Sequence, residues 1–294
     1  MYVGRFAPTP SGDLHFGSLV TAIASYLDAK KADGQWLLKI DDIDKQRVKN
    51  NSVQSILKTL ESLNLFWDFT ESYQSHRLEE YEFYFEKLSE MNQTYKCDCS
   101  RKYLSDNAKI GEDSYIYPGF CKNKGLKNYD NFATRMEVNA IPVVVEDRIQ
   151  GKLSQNLSKE IGDFVIKRND GQFSYQFSVC VDNKLDKITH IVRGADLLLS
   201  TPRQIYLQNL LDFDIPRFSH IPIATIDKKK ISKSDDFKIL IKNNQKDIWI
   251  KVLNFLNQPI SKTVSQMNLE ETIEHAIKNW AMEKISPLHS IDVF

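Results

Sequence analysis

The sequence predicts an α/β protein organised on a parallel sheet, and three observations carry that prediction. The chain opens on a short apolar run, Tyr2 to Phe6, then a turn punctuated by Pro8, Pro10 and Gly12, then helix-forming residues beyond Gly17. Later apolar runs of strand length end in charged residues, Asp41 after one and Arg193 after another, where open α/β sheets place their ligands. Amphipathic stretches of helical period separate several of these runs.

Composition narrows the class. At 294 residues, with 41% hydrophobic and 27% charged side chains, the chain suits one large or two smaller globular units. Lysine plus arginine equal aspartate plus glutamate at 39 each, so no global field announces a nucleic-acid partner. No apolar stretch approaches the roughly 18 residues of a membrane span, and no basic segment with an apolar core opens the chain. A cytoplasmic protein without membrane contact is expected. Four cysteines in a chain this long fit a reducing compartment, with metal binding or burial as their uses.

The opening turn has a strand, small-residue turn, helix layout. Unpaired N–H groups at a helix start, with the positive end of the helix dipole, attract anions there, and His15 and Gly17 sit at that turn. An ordinary βα connection is the competing reading. Ser18 to Lys31 carries Leu19, Ile23, Tyr26 and Leu27 at helical spacing, closed by Asp33-Gly34. Trp36 to Ile40 reads as a buried strand ending in Asp41, Asp42 and Asp44; Asp41 is the ligand candidate, while the other two equally suit a solvated loop or a helix cap. Val53 to Leu63 and Leu78 to Met91 are helical, the second with an aromatic stripe at Tyr81, Phe83, Tyr84 and Phe85 expected in the core.

Composition changes at Tyr95. Cys97, Cys99 and Cys121 in a loop-rich segment suggest an insertion stapled by zinc, though no histidine between Gln93 and Phe132 offers a fourth ligand. Three free thiols remain the alternative. Phe132 to Val145, with Arg135 and Glu137 alternating against apolar neighbours, reads as strand, as do Asp163 to Lys167 and Phe173 to Val181, which would bury Cys180. Ile188 to Val192 is another strand, followed by Arg193, Gly194 and Asp196. An arginine and an aspartate at two strand ends could grip the two charges of a zwitterion, whereas Arg193 alone would suit a structural ion pair.

Thr201-Pro202-Arg203 reads as a helix start with threonine as cap, continued by Ile205 to Leu211. Ser219 to Thr225 reads as the last strand, and the lysine cluster from Lys228 to Lys233 is a seat for a polyanion. Ile248 to Leu256 and Leu269 to Lys284 are amphipathic helices with Trp249, Phe255, Ile273, Ile277 and Trp280 on the apolar side.

The His15-Phe16-Gly17 turn and the Lys230-Ile231-Ser232-Lys233-Ser234 loop together resemble the two nucleotide-binding signatures of class I aminoacyl-tRNA synthetases. Gly4 to Gly12 with Leu14 to Gly17 resembles the opening of glutamyl-tRNA synthetases. Ile43 with its flanking acids, Ile191 to Asp196, Thr201 to Gln204, Ser219 to Pro222 and the KISKS loop follow in that family's order. Ser18 in place of the usual histidine, the CDC…YPGFC pattern and the short stretch from Ser234 to Phe294 resemble the glutamyl-queuosine tRNA(Asp) synthetases, shortened paralogues that glutamylate a modified anticodon base.

That resemblance implies a Rossmann-like class I synthetase catalytic domain in two halves, 1–93 and 132–225, around a zinc-binding insertion at 94–131. The KISKS loop and a small helical region, 226–294, would follow, with no separate anticodon-binding domain. It implies a structural zinc held by Cys97, Cys99, Tyr117 and Cys121. Glutamate would be bound by Arg5, Ala7, Thr9, Asp41, Tyr175 and Arg193, with Asp41 one methylene shorter than the family's glutamate. ATP with Mg²⁺ would be held by His15, Gly17, Lys230, Ser232, Lys233 and Ser234, with His15 and Lys233 catalytic. The implied partners are ATP, L-glutamate and tRNA(Asp) bearing queuosine, with a monomeric enzyme. Two alternatives stay open: a glutamyl-tRNA synthetase module charging a tRNA 3′ end, and a non-catalytic tRNA-binding protein.

Overall fold

The computed structural model describes residues 1–126, 131–230, 244–261 and 264–293. The N-terminal apolar run is strand β1 (Val3–Phe6), and the turn after it leads into α1 (Phe16–Lys31). β2 (Gln35–Ile40) pairs parallel with β1, followed by α2 (Ser52–Ser62), β3 (Ser72–Tyr73), parallel to β2, and α3 (Leu78–Glu90). β4 (Thr94–Cys97) enters the cysteine segment, which contains α4 (Arg101–Asn107) and the hairpin β5 (Lys109–Ile110) with β6 (Tyr115–Ile116).

β7 (Ala133–Met136) leaves that segment and pairs antiparallel with β4. The hairpin β8 (Val143–Asp147) and β9 (Gly151–Gln155) follows, then the one-turn helix α5 (Leu157–Glu160) and β10 (Phe164–Lys167), which joins β7. Then come α6 (Tyr175–Leu185), β11 (His190–Gly194), α7 (Thr201–Leu210), β12 (Arg217–Ile221), β13 (Ile223–Ile226) and β14 (Lys229–Lys230). Helices α8 (Gln245–Phe255) and α9 (Leu269–Asn279) precede the final strand β15 (Ser290–Asp292), parallel to β13.

Two parallel arrays meet at β1. One runs β1-β2-β3, and the other is led by β11 and β12, parallel to each other. Thr189 N–H donates to the Val3 carbonyl at 2.9 Å, bringing the start of β11 alongside β1. The chain leaves β1 toward β2 on one side while β11 lies on the other, so the loops after β1 and β11 part and leave a crevice at their carboxyl ends.

Two cores flank this sheet. One joins α1 and β2 to α8 and α9 through Trp36, Trp249 and Trp280, and the other joins α3, α6 and α7 to β8 and β11. Trp249 is fully buried and its Nε1 donates to the Leu63 carbonyl at 3.0 Å, so the C-terminal helices share the core of the N-terminal strands. Burying a side chain of this size contributes about 2–3 kcal/mol.

Five local expectations are corrected. Phe173 to Val181 is not a strand: Tyr175 to Leu185 is helix α6, buried from Phe177 through Asn183, so burial on every side hides its period. Cys180 is buried, but on that helix. Phe132 to Val145 divides into β7 and β8, which belong to different sheets, and Ser219 to Thr225 divides at Pro222, whose missing N–H cannot continue a ladder. Thr201 is not a cap, because Ser200 before it is already helical at φ −80 and ψ −24. In the α3 stripe, Tyr81 is fully buried while Phe83 is 52% exposed.

Candidate active site and metal centre

The crevice holds a cavity of ≈ 520 Å³ lined by Arg5, Ala7, Thr9, Asp41, Tyr175 and Arg193, and also by His15 and Gly17. Each arrives from a strand end or a helix start. Arg5 is in β1, Ala7 and Thr9 follow it, Asp41 follows β2, Tyr175 opens α6, and Arg193 is in β11. The glutamate candidates, scattered over the sequence, thus meet in one place.

His15 is the N-cap of α1, its Nδ1 accepting from the Ser18 N–H at 3.2 Å. That bond places the proton of a neutral ring on Nε2. Gly17 allows the fold-back, since a Cβ there would lie 3.3 Å from the imidazole. Lys230 ends β14, paired with Thr225, whereas Ser232, Lys233 and Ser234 lie outside the described residues.

Of the three aspartates after β2, the structure singles out Asp41. Asp42 accepts from the Ser75 N–H at 2.8 Å and the Ser75 hydroxyl at 2.7 Å, a structural use, and Asp44 lies 3.4 Å from Arg168 at the surface. Asp41 is 9% exposed and its Oδ1 has no hydrogen-bond partner among the described residues. Burial, and next the nearby Asp182, push its carboxyl up to about 7.

Asp182 is itself fully engaged. It receives Lys39 Nζ at 2.9 Å, Gln74 Nε2 at 2.8 Å, the Tyr81 hydroxyl at 2.8 Å and Arg77 at 3.2 Å. Arg5, buried behind the cavity, donates to Asn183 Oδ1 at 3.4 Å, and burial lowers its affinity for the proton. Arg193 donates from Nη1 to the Tyr175 hydroxyl at 3.3 Å and from Nη2 to Thr201 Oγ1 at 2.8 Å and Gln204 Oε1 at 2.9 Å. It also reaches His220, which is hydrogen-bonded to Asp147.

His220, Asp147 and Gln204 had no role in the reading of the sequence, because only β-strand pairing and helix packing bring them to Arg193. The one available signal was that His220 and Gln204 lie within motifs already singled out.

The cysteines form the second site. The sulfurs of Cys97, Cys99 and Cys121 lie within 4.8 Å of one another, and the Tyr117 hydroxyl is 3.4 Å from Cys97 Sγ and 3.7 Å from Cys99 Sγ. A tetrahedral ion with bonds of ~2.3 Å to sulfur spaces its ligand atoms ~3.8 Å apart, so these four donors fit zinc. Arg135 donates to Cys97 Sγ at 3.2 Å and lies 3.6 Å over the Tyr117 ring. Burial opposes the Cys97 thiolate, but the Tyr117 and Arg135 hydrogen bonds outweigh it, and the thiol sits below its ordinary range. Gly162, at φ +73, supports Tyr117 from beneath: a Cβ there would lie 1.9 Å from the Tyr117 carbonyl oxygen.

Comparison with known proteins agrees with this geometry. The family model for the catalytic domain of class I tRNA synthetases (E and Q) matches residues 2–286. The glutamyl-Q tRNA(Asp) synthetase of Pseudomonas syringae is 42% identical over 291 residues, 99% of this chain and 96% of that protein. Its namesake from Aromatoleum aromaticum is 40% identical over 96% of this chain and 89% of its own length. Among solved structures, the glutamate-tRNA synthetase of Elizabethkingia anophelis superposes with a TM-score of 0.81 at 22% identity, covering 99% of this chain and 68% of that one, a likeness of fold. With a family model spanning the crevice and full-length relatives at this identity, the chain belongs to the glutamyl-Q tRNA(Asp) synthetases, ligases of the class I tRNA synthetase family.

Proposed function

We propose that the chain activates L-glutamate with ATP and transfers the glutamyl group to the queuosine base in the anticodon of tRNA(Asp). The observation that carries this reading is one trio of charges among those lining the cavity, which also include Arg47, Asp13 and Asp196: Arg5 and Arg193 on one side of the balance and Asp41 on the other. Ionised, these sum to one positive charge and complement glutamate, with two carboxylates and one ammonium. The unpartnered Asp41 Oδ1 supports an ammonium seat, with the arginines, Tyr175, Ala7 and Thr9 around the carboxylates.

The glutamate α-carboxylate attacks the α-phosphorus of ATP, forming a new oxygen–phosphorus bond and expelling pyrophosphate. A hydroxyl of the modified base then takes the acyl group and releases AMP. The first step demands positioning and charge neutralisation more than proton transfer. His15 and the start of α1, with Gly17, hold the phosphates on one side. By the sequence assignment, Lys230, Ser232, Lys233 and Ser234 bind ATP as well, with Lys233 neutralising the charge that builds on pyrophosphate. Mg²⁺ bound with ATP would share that neutralisation.

Cys97, Cys99, Tyr117 and Cys121 would hold zinc, which supplies rigidity to the insertion at 94–131. The segments 1–93 and 132–225 form the catalytic domain in this reading, and 226–294 the KISKS loop and helical region, in a cytoplasmic monomer.

The test is transfer of labelled glutamate to tRNA(Asp) with and without queuosine, followed by nuclease mapping. Label in the anticodon stem-loop, dependent on queuosine, is the expected result. Label at the 3′ end would favour a conventional glutamyl-tRNA synthetase, and no activation of glutamate would remove the enzymatic reading.

A further inference from the structure

Arg193 is a buried cation that, among the described residues, donates hydrogen bonds to uncharged groups. Its Nε donates to His220 Nε2 at 2.9 Å, Nη2 to Thr201, Gln204 and the Leu197 carbonyl, and Nη1 to Tyr175. The Phe218 ring lies 5.3 Å away. A buried guanidinium is ordinarily paired with a carboxylate. Among the described residues none of these hydrogen bonds goes to one, and Arg193 lines the cavity together with Asp196.

The His220 contact constrains a proton. Arginine Nε always carries hydrogen, so His220 Nε2 must present its lone pair and Nδ1 must carry the ring proton. Nδ1 lies 2.6 Å from Asp147 Oδ2, and both side chains are fully buried. The other carboxylate oxygen is occupied: Asp147 Oδ1 accepts the backbone N–H groups of Ile149 at 3.0 Å, Gln150 at 2.9 Å and His220 at 3.1 Å. Burial keeps the ring neutral, lowering it to about 4.

We infer that Asp147 and His220 are a positioning pair that locks one histidine tautomer and thereby aims Arg193 at a substrate carboxylate. The inference rests on the glutamate reading above. Neither residue touches the ligand. A neutral acceptor orients the guanidinium without neutralising it, whereas a carboxylate at the position of His220 would cancel the charge that selects an anionic substrate.

The test is Asp147→Asn, a nearly isosteric change. The three backbone N–H groups require an oxygen where Oδ1 sits, so the amide NH₂ must take the place of Oδ2 and donate to His220 Nδ1. The ring proton then moves to Nε2 and faces the Arg193 N–H, donor against donor. In ATP–pyrophosphate exchange with tRNA present, we expect the KM for glutamate to rise about tenfold or more while the KM for ATP stays within about twofold. An unchanged glutamate KM, or equal rises in both, would overturn the inference.

A second measurement does not depend on the variant folding or on glutamate being the substrate. In ¹⁵N-histidine-labelled wild-type protein, His220 must be neutral with the proton on Nδ1. A proton on Nε2, or a charged ring at neutral pH, would overturn the pair. Wild-type protein that fails to activate glutamate would remove the functional reading instead, and the tautomer would still decide this one.

Discussion

The Tyr117 hydroxyl lies 3.4 Å from the sulfur of Cys97, beside three thiols drawn from the two ends of the segment Cys97 to Cys121. The local count of cysteines stops one short of a tetrahedral site, and this contact brings to them the fourth donor that the family resemblance names, a residue type that spacing rules do not flag. The same tyrosine is held by Arg135 above and Gly162 below.

Purified protein should contain about one zinc per chain, and Cys97→Ser should lose most of it. Tyr117→Phe keeps the ring packing and removes only the oxygen, so it should weaken zinc retention in competition with a chelator while leaving the fold intact. Metal analysis by mass spectrometry decides both; metal-free wild-type protein would remove the zinc assignment.

Asp41 should impose a pH dependence on glutamate binding. Its folded-state carboxyl is raised by burial to about 7, so in the free protein it is protonated below that value. A substrate ammonium needs the carboxylate. Affinity should therefore fall as pH drops below about 7, by up to about tenfold per unit, and Asp41→Asn should bind weakly with a flat profile. The sign for stability is opposite. Because the folded pKa lies above the unfolded one, stability is lost as pH rises from the ordinary carboxylate range to about 7 and stays lower above it, so Asp41→Asn should melt higher than the parent at pH 8. Calorimetric titration from pH 6 to 8, and melting curves from about pH 4 to 8, check both.

Lys233→Ala should depress adenylate formation by about 10²-fold or more while glutamate binding changes little, as expected for a contact that strengthens in the transition state. Pyrophosphate exchange beside direct binding measures the split. Equal losses in both would place Lys233 outside the chemistry.

Asp28 is the tie between the C-terminal helices and the sheet. Its Oδ1 accepts Trp280 Nε1 at 3.1 Å, and its carboxylate also takes the Tyr2 hydroxyl at 2.6 Å and Arg148 Nη1 at 2.6 Å. Asp28→Ala should cost about 3–5 kcal/mol in denaturant unfolding, because it strands several buried or half-buried donors at once. Trp280→Phe, losing one bond and little volume, should cost only about 1 kcal/mol.

Much of the site was legible in the residues. The βα opening is a local pattern, and its turn, His15 and Gly17 sit where the pattern puts them. Asp41 and Arg193 follow or end runs that read as strands, and both line the cavity. The KISKS residues Ser232 to Ser234 lie outside the described residues, so their assignment rests on sequence alone.

Periodicity failed where burial is uniform. Phe177 to Val181 is apolar apart from Ser178, with a phenylalanine and two valines, composition that favours a strand, yet it is helical because its surroundings bury every side of it. The stripe of α3 failed the other way, with Phe83 on the solvent side. Local sequence determined where chain direction changes, where anions can meet a helix start and which residue types make up the candidate metal site, since these depend on neighbours a few positions apart. The family resemblance named Tyr117 beside the cysteines and the tertiary structure brings its hydroxyl to them, while tertiary structure alone decided that burial and Asp182 raise Asp41 and that Asp147 orients His220 against Arg193. Each of those depends on short-range forces between residues that only chain packing brings within a few ångströms.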